Sequence, residues 1–91
     1  MIGGSNELEK TETFVNIYPN PAQNRLNVYI IGEGTANKMQ IFDLSGKMIY
    51  GQNVSEMLTI LDISELVSGL YVVKIVGPDG LSISDHKFVK E

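Results

Sequence analysis

Apolar residues in this chain fall in short runs that alternate with polar positions, and turn signals interrupt them at about 8–12-residue spacing, the rhythm of an all-β sandwich or barrel. Phe14 to Tyr18 predicts a first strand, stopped by Pro19 and Pro21, which cannot donate to a ladder and which restrict the residues before them. Arg25 to Ile31 places Leu26, Val28 and Ile30 on one face and Asn27 and Tyr29 on the other, the period-2 pattern of a half-buried strand. Gly32-Glu33-Gly34 ends it. Asn37 to Leu44 predicts a third strand, with Met39 and Ile41 on one face, and a two-residue Ser45-Gly46 loop leads into a fourth over Lys47 to Gln52. Met57 to Ile63 gives a fifth and Leu70 to Val76, with Tyr71, Val73 and Ile75 sharing a face, a sixth. Pro78-Asp79-Gly80 is a tight turn into a last strand over Leu81 to Val89. That strand changes phase, from Leu81 and Ile83 on odd positions to Phe88 on an even one, so a bulge is expected near Asp85-His86.

Seven strands, mostly in antiparallel hairpins, fit a seven-stranded immunoglobulin-like β-sandwich. Ser64 to Ser68 offers one helical turn at most, with Ser64 as N-cap and Gly69 as an αL terminator. Tyr71 stands two residues after Gly69, where a tyrosine corner would bond its phenol to backbone near Leu66. Residues 1–13 are polar and aperiodic, with Gly3-Gly4-Ser5-Asn6 followed by Glu7 to Thr13. They read as a flexible acidic linker or a remnant of expression, ahead of a single domain over residues 14–91.

Length and charge narrow the functions this fold can carry. A 91-residue chain buries only about 64% of its unfolded surface, enough for one modest core with little room for a deep active site. Seven basic against eleven acidic residues, a net charge of −4, make nucleic acid an unsuited partner. No apolar run reaches the roughly 18 residues of a membrane-spanning helix. Without cysteine there is no disulfide, thiolate zinc site or thiol nucleophile. The start lacks the basic and apolar regions of a signal peptide, so a piece of a longer protein is expected.

Catalytic constellations fail in turn. His86 is the single histidine and has no nucleophile at fixed spacing. Asp43, Asp62, Asp79 and Asp85 sit in or beside turns, where aspartate caps backbone N–H groups, and no segment spaces acidic oxygens as a calcium loop does. Gly77-Pro78-Asp79-Gly80 lacks the following helix and Lys-Ser/Thr of a phosphate loop. Tyr18, Tyr29, Phe42 and Tyr50 would suit a sugar platform if they shared a face, and core or sheet packing otherwise. From residues alone the chain is a small, acidic, non-enzymatic β module with no expected cofactor or metal.

Four motifs in order go further. Tyr18-Pro19-Asn20-Pro21 resembles the opening of the type A C-terminal sorting domain of the type IX secretion system of Bacteroidetes. Ile41-Phe42-Asp43-Leu44-Ser45-Gly46-Lys47 is similar to that family's hairpin motif, and Leu61 to Ile75, with Ser68-Gly69-Leu70-Tyr71 opening a strand, to its third. His86-Lys87-Phe88-Val89-Lys90-Glu91 resembles its closing tail.

The resemblance implies a secretion signal rather than an enzyme. A signal peptide, which a C-terminal piece would not be expected to carry, takes such a protein into the periplasm. The domain then directs its covalently attached N-terminal cargo through the outer-membrane translocon, without inserting in the membrane. A sortase-like cysteine peptidase removes it at the cell surface, and the cargo is released or joined to anionic lipopolysaccharide. The residues so implicated are Tyr18, Pro19, Asn20, Pro21, Asp43, Gly46, Lys47, Gly69 and Tyr71 as the sorting motif, and Lys87, Phe88, Val89, Lys90 and Glu91 as the tail read by the translocon. As the last strand, the tail is expected to offer unpaired N–H and C=O groups to a receptor strand, with Lys87 and Lys90 either blocking stray pairing or meeting an acidic receptor. Cleavage is expected before Phe14, in the Gly3 to Asn6 or the Lys10 to Thr13 stretch. The competing readings are an adhesion or carbohydrate-binding sandwich and a plain spacer module.

Overall fold

Alternating β-branched and aromatic residues do form strands throughout the described residues, 13–32 and 38–91 of a computed structural model. The strands are β1 (Phe14–Tyr18), β2 (Arg25–Ile31), β3 (Lys38–Phe42), β4 (Met48–Asn53), β5 (Leu58–Asp62), β6 (Gly69–Val76) and β7 (Ser82–Lys90). They make two antiparallel sheets, one in the order β1-β2-β5 and the other in the order β4-β3-β6-β7. The described residues contain no helix. The expected linker, apart from Thr13, the Glu33-Gly34 part of the expected break after β2 and the expected strand start at Asn37 lie outside the described residues.

Each sheet turns one face to a shared core. Leu26, Val28, Ile30 and Leu61 come from the three-stranded sheet, and Met39, Ile41, Tyr71, Val73, Ile75 and Phe88 from the four-stranded one. Burying each large apolar side chain contributes about 1.5–3 kcal/mol. The outer face of the smaller sheet stays partly apolar, since Phe14, Tyr18, Ile31, Leu58 and Ile60 are exposed.

The structure corrects several local expectations. β3 stops at Phe42 because Asp43 to Lys47 form a loop of their own, longer than the expected two-residue turn and closed by Asp43 N–H to the Lys47 carbonyl (3.0 Å). Gly46 takes φ of +89°, a conformation in which a Cβ is strained. The bulge in β7 falls at Ile83, not near Asp85-His86: Ile75 pairs with Ser84 and Val76 with Ser82. Leu81 and Ile83 are exposed, and the extra residue restores Phe88 to the core side. Between β5 and β6 the cap is Asp62, whose Oδ1 accepts from Ser64 N–H at 3.0 Å and Ser64 Oγ at 2.6 Å, so Ser64 is capped rather than capping. One backbone bond, Leu66 N–H to the Ile63 carbonyl (3.0 Å), is all the helical turn there is. Gly69 opens β6 at φ of +157°, far from the αL geometry expected of it. The tyrosine corner is present, with the Tyr71 hydroxyl donating to the Val67 carbonyl, one residue from the expected acceptor.

Candidate recognition surface

The strand registers bring all four motifs to one end of the sandwich. Tyr18 closes β1 and pairs with Asn27 near the start of β2. In the other sheet Phe42, at the end of β3, lies beside Met48 and Val72, and Val72 lies beside Lys87. The first residue of β6, Gly69, pairs with Lys90 at the end of β7. The Pro19–Pro21 turn, the Asp43–Lys47 loop, the Gly69–Tyr71 strand opening and the tail are therefore neighbours, although up to 73 residues of chain separate Tyr18 from Glu91.

The turn and the tail bond directly. Strand β7 spends alternate backbone groups on β6, which leaves those of Lys87, Val89 and Glu91 pointing the other way. Asn20 meets them with its side chain: Nδ2 donates to the Lys87 carbonyl (3.3 Å) and Oδ1 accepts from Val89 N–H (2.9 Å). Ala22 meets them with its backbone: its N–H donates to the Val89 carbonyl (2.7 Å) and its carbonyl accepts from Glu91 N–H (2.8 Å). Pro19 and Pro21 have no N–H, so a side-chain amide, chemically a peptide group, stands in for the backbone there. Both prolines follow cis peptide bonds. Asn27 Nδ2 holds the Tyr18 carbonyl at 3.1 Å, and Ala22 is fully buried.

Two expectations about the tail are thereby corrected. Its outer edge is not open from the Lys87 carbonyl to the Glu91 N–H, because the turn occupies it. Nor is Lys90 a free cation: it is 8% exposed, and its Nζ donates to the Glu91 carbonyl at 3.0 Å. Phe88 belongs to the core, stacked on Tyr71 with ring centroids 5.5 Å apart. Lys87 and Val89 are the tail side chains that remain exposed beside Glu91. The sequence carried no local sign of the turn-to-tail ladder, since its partners are 67–69 residues apart. An asparagine between two prolines was the available signal.

The hairpin motif is held by one carboxylate. Asp43 Oδ1 accepts from Ser45 Oγ (2.6 Å), Ser45 N–H (2.9 Å) and Lys47 N–H (3.0 Å). These bonds, the Ser45 hydroxyl first, hold the Asp43 carboxyl below its ordinary value of 3.8. Asp62 is lowered in the same way, chiefly by the Ser64 hydroxyl and then its N–H, with Arg25 adding to the effect from the paired position on β2. The folded state therefore binds fewer protons than the unfolded chain near pH 4. The stability these groups contribute is fully present above the unfolded carboxylate value, and it drains as pH falls through the lower folded values. Thermal melts are expected to hold level from pH 7 to about 5 and then fall. An Asp43→Asn, Asp62→Asn double variant should flatten that acid limb, and an unchanged limb would contradict this origin.

The four aromatics of the sugar-platform reading do not share a face. Tyr18 and Tyr29 lie on the outside of the small sheet, Phe42 on the outside of the large one beneath the Lys74 ammonium (5.6 Å), and Tyr50 on the edge strand bonded to Gln52. His86 is half-buried against Ser84 Oγ (3.0 Å). Among the described residues no three acidic or imidazole groups gather as a metal site.

The model of the secretion system C-terminal sorting domain matches residues 16–91. The chain belongs to that family. It is a C-terminal sorting signal of type IX secretion, a role that attaches it to an exported cargo and brings it to that secretion machinery. No curated protein matches the chain.

Proposed function

We propose that residues 14–91 form an immunoglobulin-like sorting module that carries an attached N-terminal cargo from the periplasm across the outer membrane, after which a sortase-like peptidase cuts it away before Phe14. Strand orders β1-β2-β5 and β4-β3-β6-β7 agree with the A-B-E and C′-C-F-G arrangement of such sandwiches. The observation that carries the reading is the convergence of the four motifs at one end, where the turn and the tail share a hydrogen-bonded edge. Recognition by a secretion machine needs a stable, readable surface, and this end supplies one: exposed Pro19 and Pro21, the Asp43–Lys47 loop, Lys87 and Val89.

The test is export. The chain is fused behind a signal peptide and a fluorescent reporter in a bacterium that has type IX secretion. Reporter is expected outside the cell, freed of the domain by mass spectrometry, and trapped in the periplasm of a translocon mutant. Retention in the periplasm of the parent strain would overturn the reading, and export of the uncut fusion would overturn its peptidase step.

A further inference from the structure

A terminal β-strand usually presents its outer N–H and C=O groups to any strand that can pair with them. Here four such groups, the Lys87 carbonyl, both groups of Val89 and the Glu91 N–H, are each taken by Asn20 or Ala22. Two of the four depend on one side-chain amide. We propose that Asn20 is a positioning residue that closes the end of the C-terminal strand, from the Lys87 carbonyl to the Glu91 N–H, against pairing, so that the partner reads this end of the folded domain through side chains and not by adding a strand to its edge. The proposal rests on the sorting reading above and specifies how its tail is recognised.

The surface left for such a partner has a definite chemistry. Lys87 and Val89 stand on the outer face of the large sheet, beside Val72 and Leu70 in register, and Val89 is 41% exposed. The partner that fits is a folded protein surface with a small apolar patch next to a carboxylate, which would meet the Lys87 ammonium. Asn20 acts on this surface indirectly, by fixing the strand that bears both side chains. Its bonds lie at an exposed edge, so their loss frees the strand end locally while the core face of Phe88 stays packed.

The experiment compares Asn20→Ala with Ile75→Val, a core change far from the tail's edge with a mild stability cost of its own. In the full chain, amide exchange at Val89 is expected to quicken about tenfold in Asn20→Ala, the signature of a lost exposed hydrogen bond. Exchange at the Phe88 amide, on the β6 side, should hold. In the reporter fusion, the exported fraction of Asn20→Ala should drop well below that of Ile75→Val. Unchanged exchange at Val89 would overturn the closure. Export equal to Ile75→Val would overturn its role in recognition, and increased export would show that the machine pairs with the strand after all. If the unsubstituted fusion itself stays in the periplasm, the sorting reading falls, while the exchange measurement still decides whether Asn20 closes the edge.

Discussion

Phe88→Ala is expected to destabilise the domain by about 3–5 kcal/mol. Phe88 is fully buried, is paired with Tyr71 across β6 and β7, and is stacked on its ring at an interplanar angle of 23°. Truncation removes the transfer free energy of the ring, leaves a cavity between the sheets and forfeits the ring–ring contact. Small domains are stable by only about 5–15 kcal/mol, so one substitution in the tail takes a large share of the total. Urea unfolding monitored by tyrosine fluorescence checks it, and a loss below about 1 kcal/mol would contradict the placement of Phe88 in the core. The consequence for function is direct: deleting Lys87 to Glu91 removes a core side chain together with the recognition surface. Loss of export in such a deletion does not separate unfolding from loss of the signal.

Tyr71→Phe should cost less, about 1–2 kcal/mol, and do so through one atom. The Tyr71 ring is buried, and its hydroxyl donates to the Val67 carbonyl across the connection that follows β5. Phenylalanine keeps the ring and its stack on Phe88 but leaves that carbonyl without its donor. The connection from Asp62 to Gly69 should loosen, seen as faster exchange at the Leu66 amide, which donates to the Ile63 carbonyl within it. Identical stability and unchanged exchange at Leu66 would show that the corner is not a stabilising bond.

The strands were legible in the sequence because their signal is local. Period-2 alternation located β1 and β2 to the residue and named most of the core, including Leu26, Val28, Ile41, Val73 and Ile75. The prolines, Gly46 and the Pro78 turn marked the breaks. Where the reading slipped, side chains competed with the ladder: Asp43 and Asp62 bond Ser45 and Ser64 two residues on, which ends β3 early and turns Ser64 from a cap into a capped residue. The change of phase in β7 announced a bulge but not its place, because either Ile83 or the Asp85-His86 pair would restore Phe88 to the core. The motifs of the candidate site were each visible. That the first of them lies against the last was not, because a contact across 67–69 residues has no periodicity to betray it. For the same reason the sequence suggests an edge strand whose Lys87 and Lys90 both face a partner or block stray pairing, whereas the turn covers it from the Lys87 carbonyl to the Glu91 N–H and Lys90 is buried.

The most direct test of the signal's location keeps the fold and changes only the surface. Lys87→Glu with Val89→Ser alters the exposed tail side chains and spares Phe88, Lys90 and the bonds to Asn20 and Ala22. Melting of the 91-residue chain checks that the fold survives, and the exported fraction of the reporter fusion is the readout. An unchanged fold with export reduced toward that of a translocon mutant is the predicted result. Full export from the folded double variant would contradict the claim that the sorting signal is read from the turn-and-tail end of the domain.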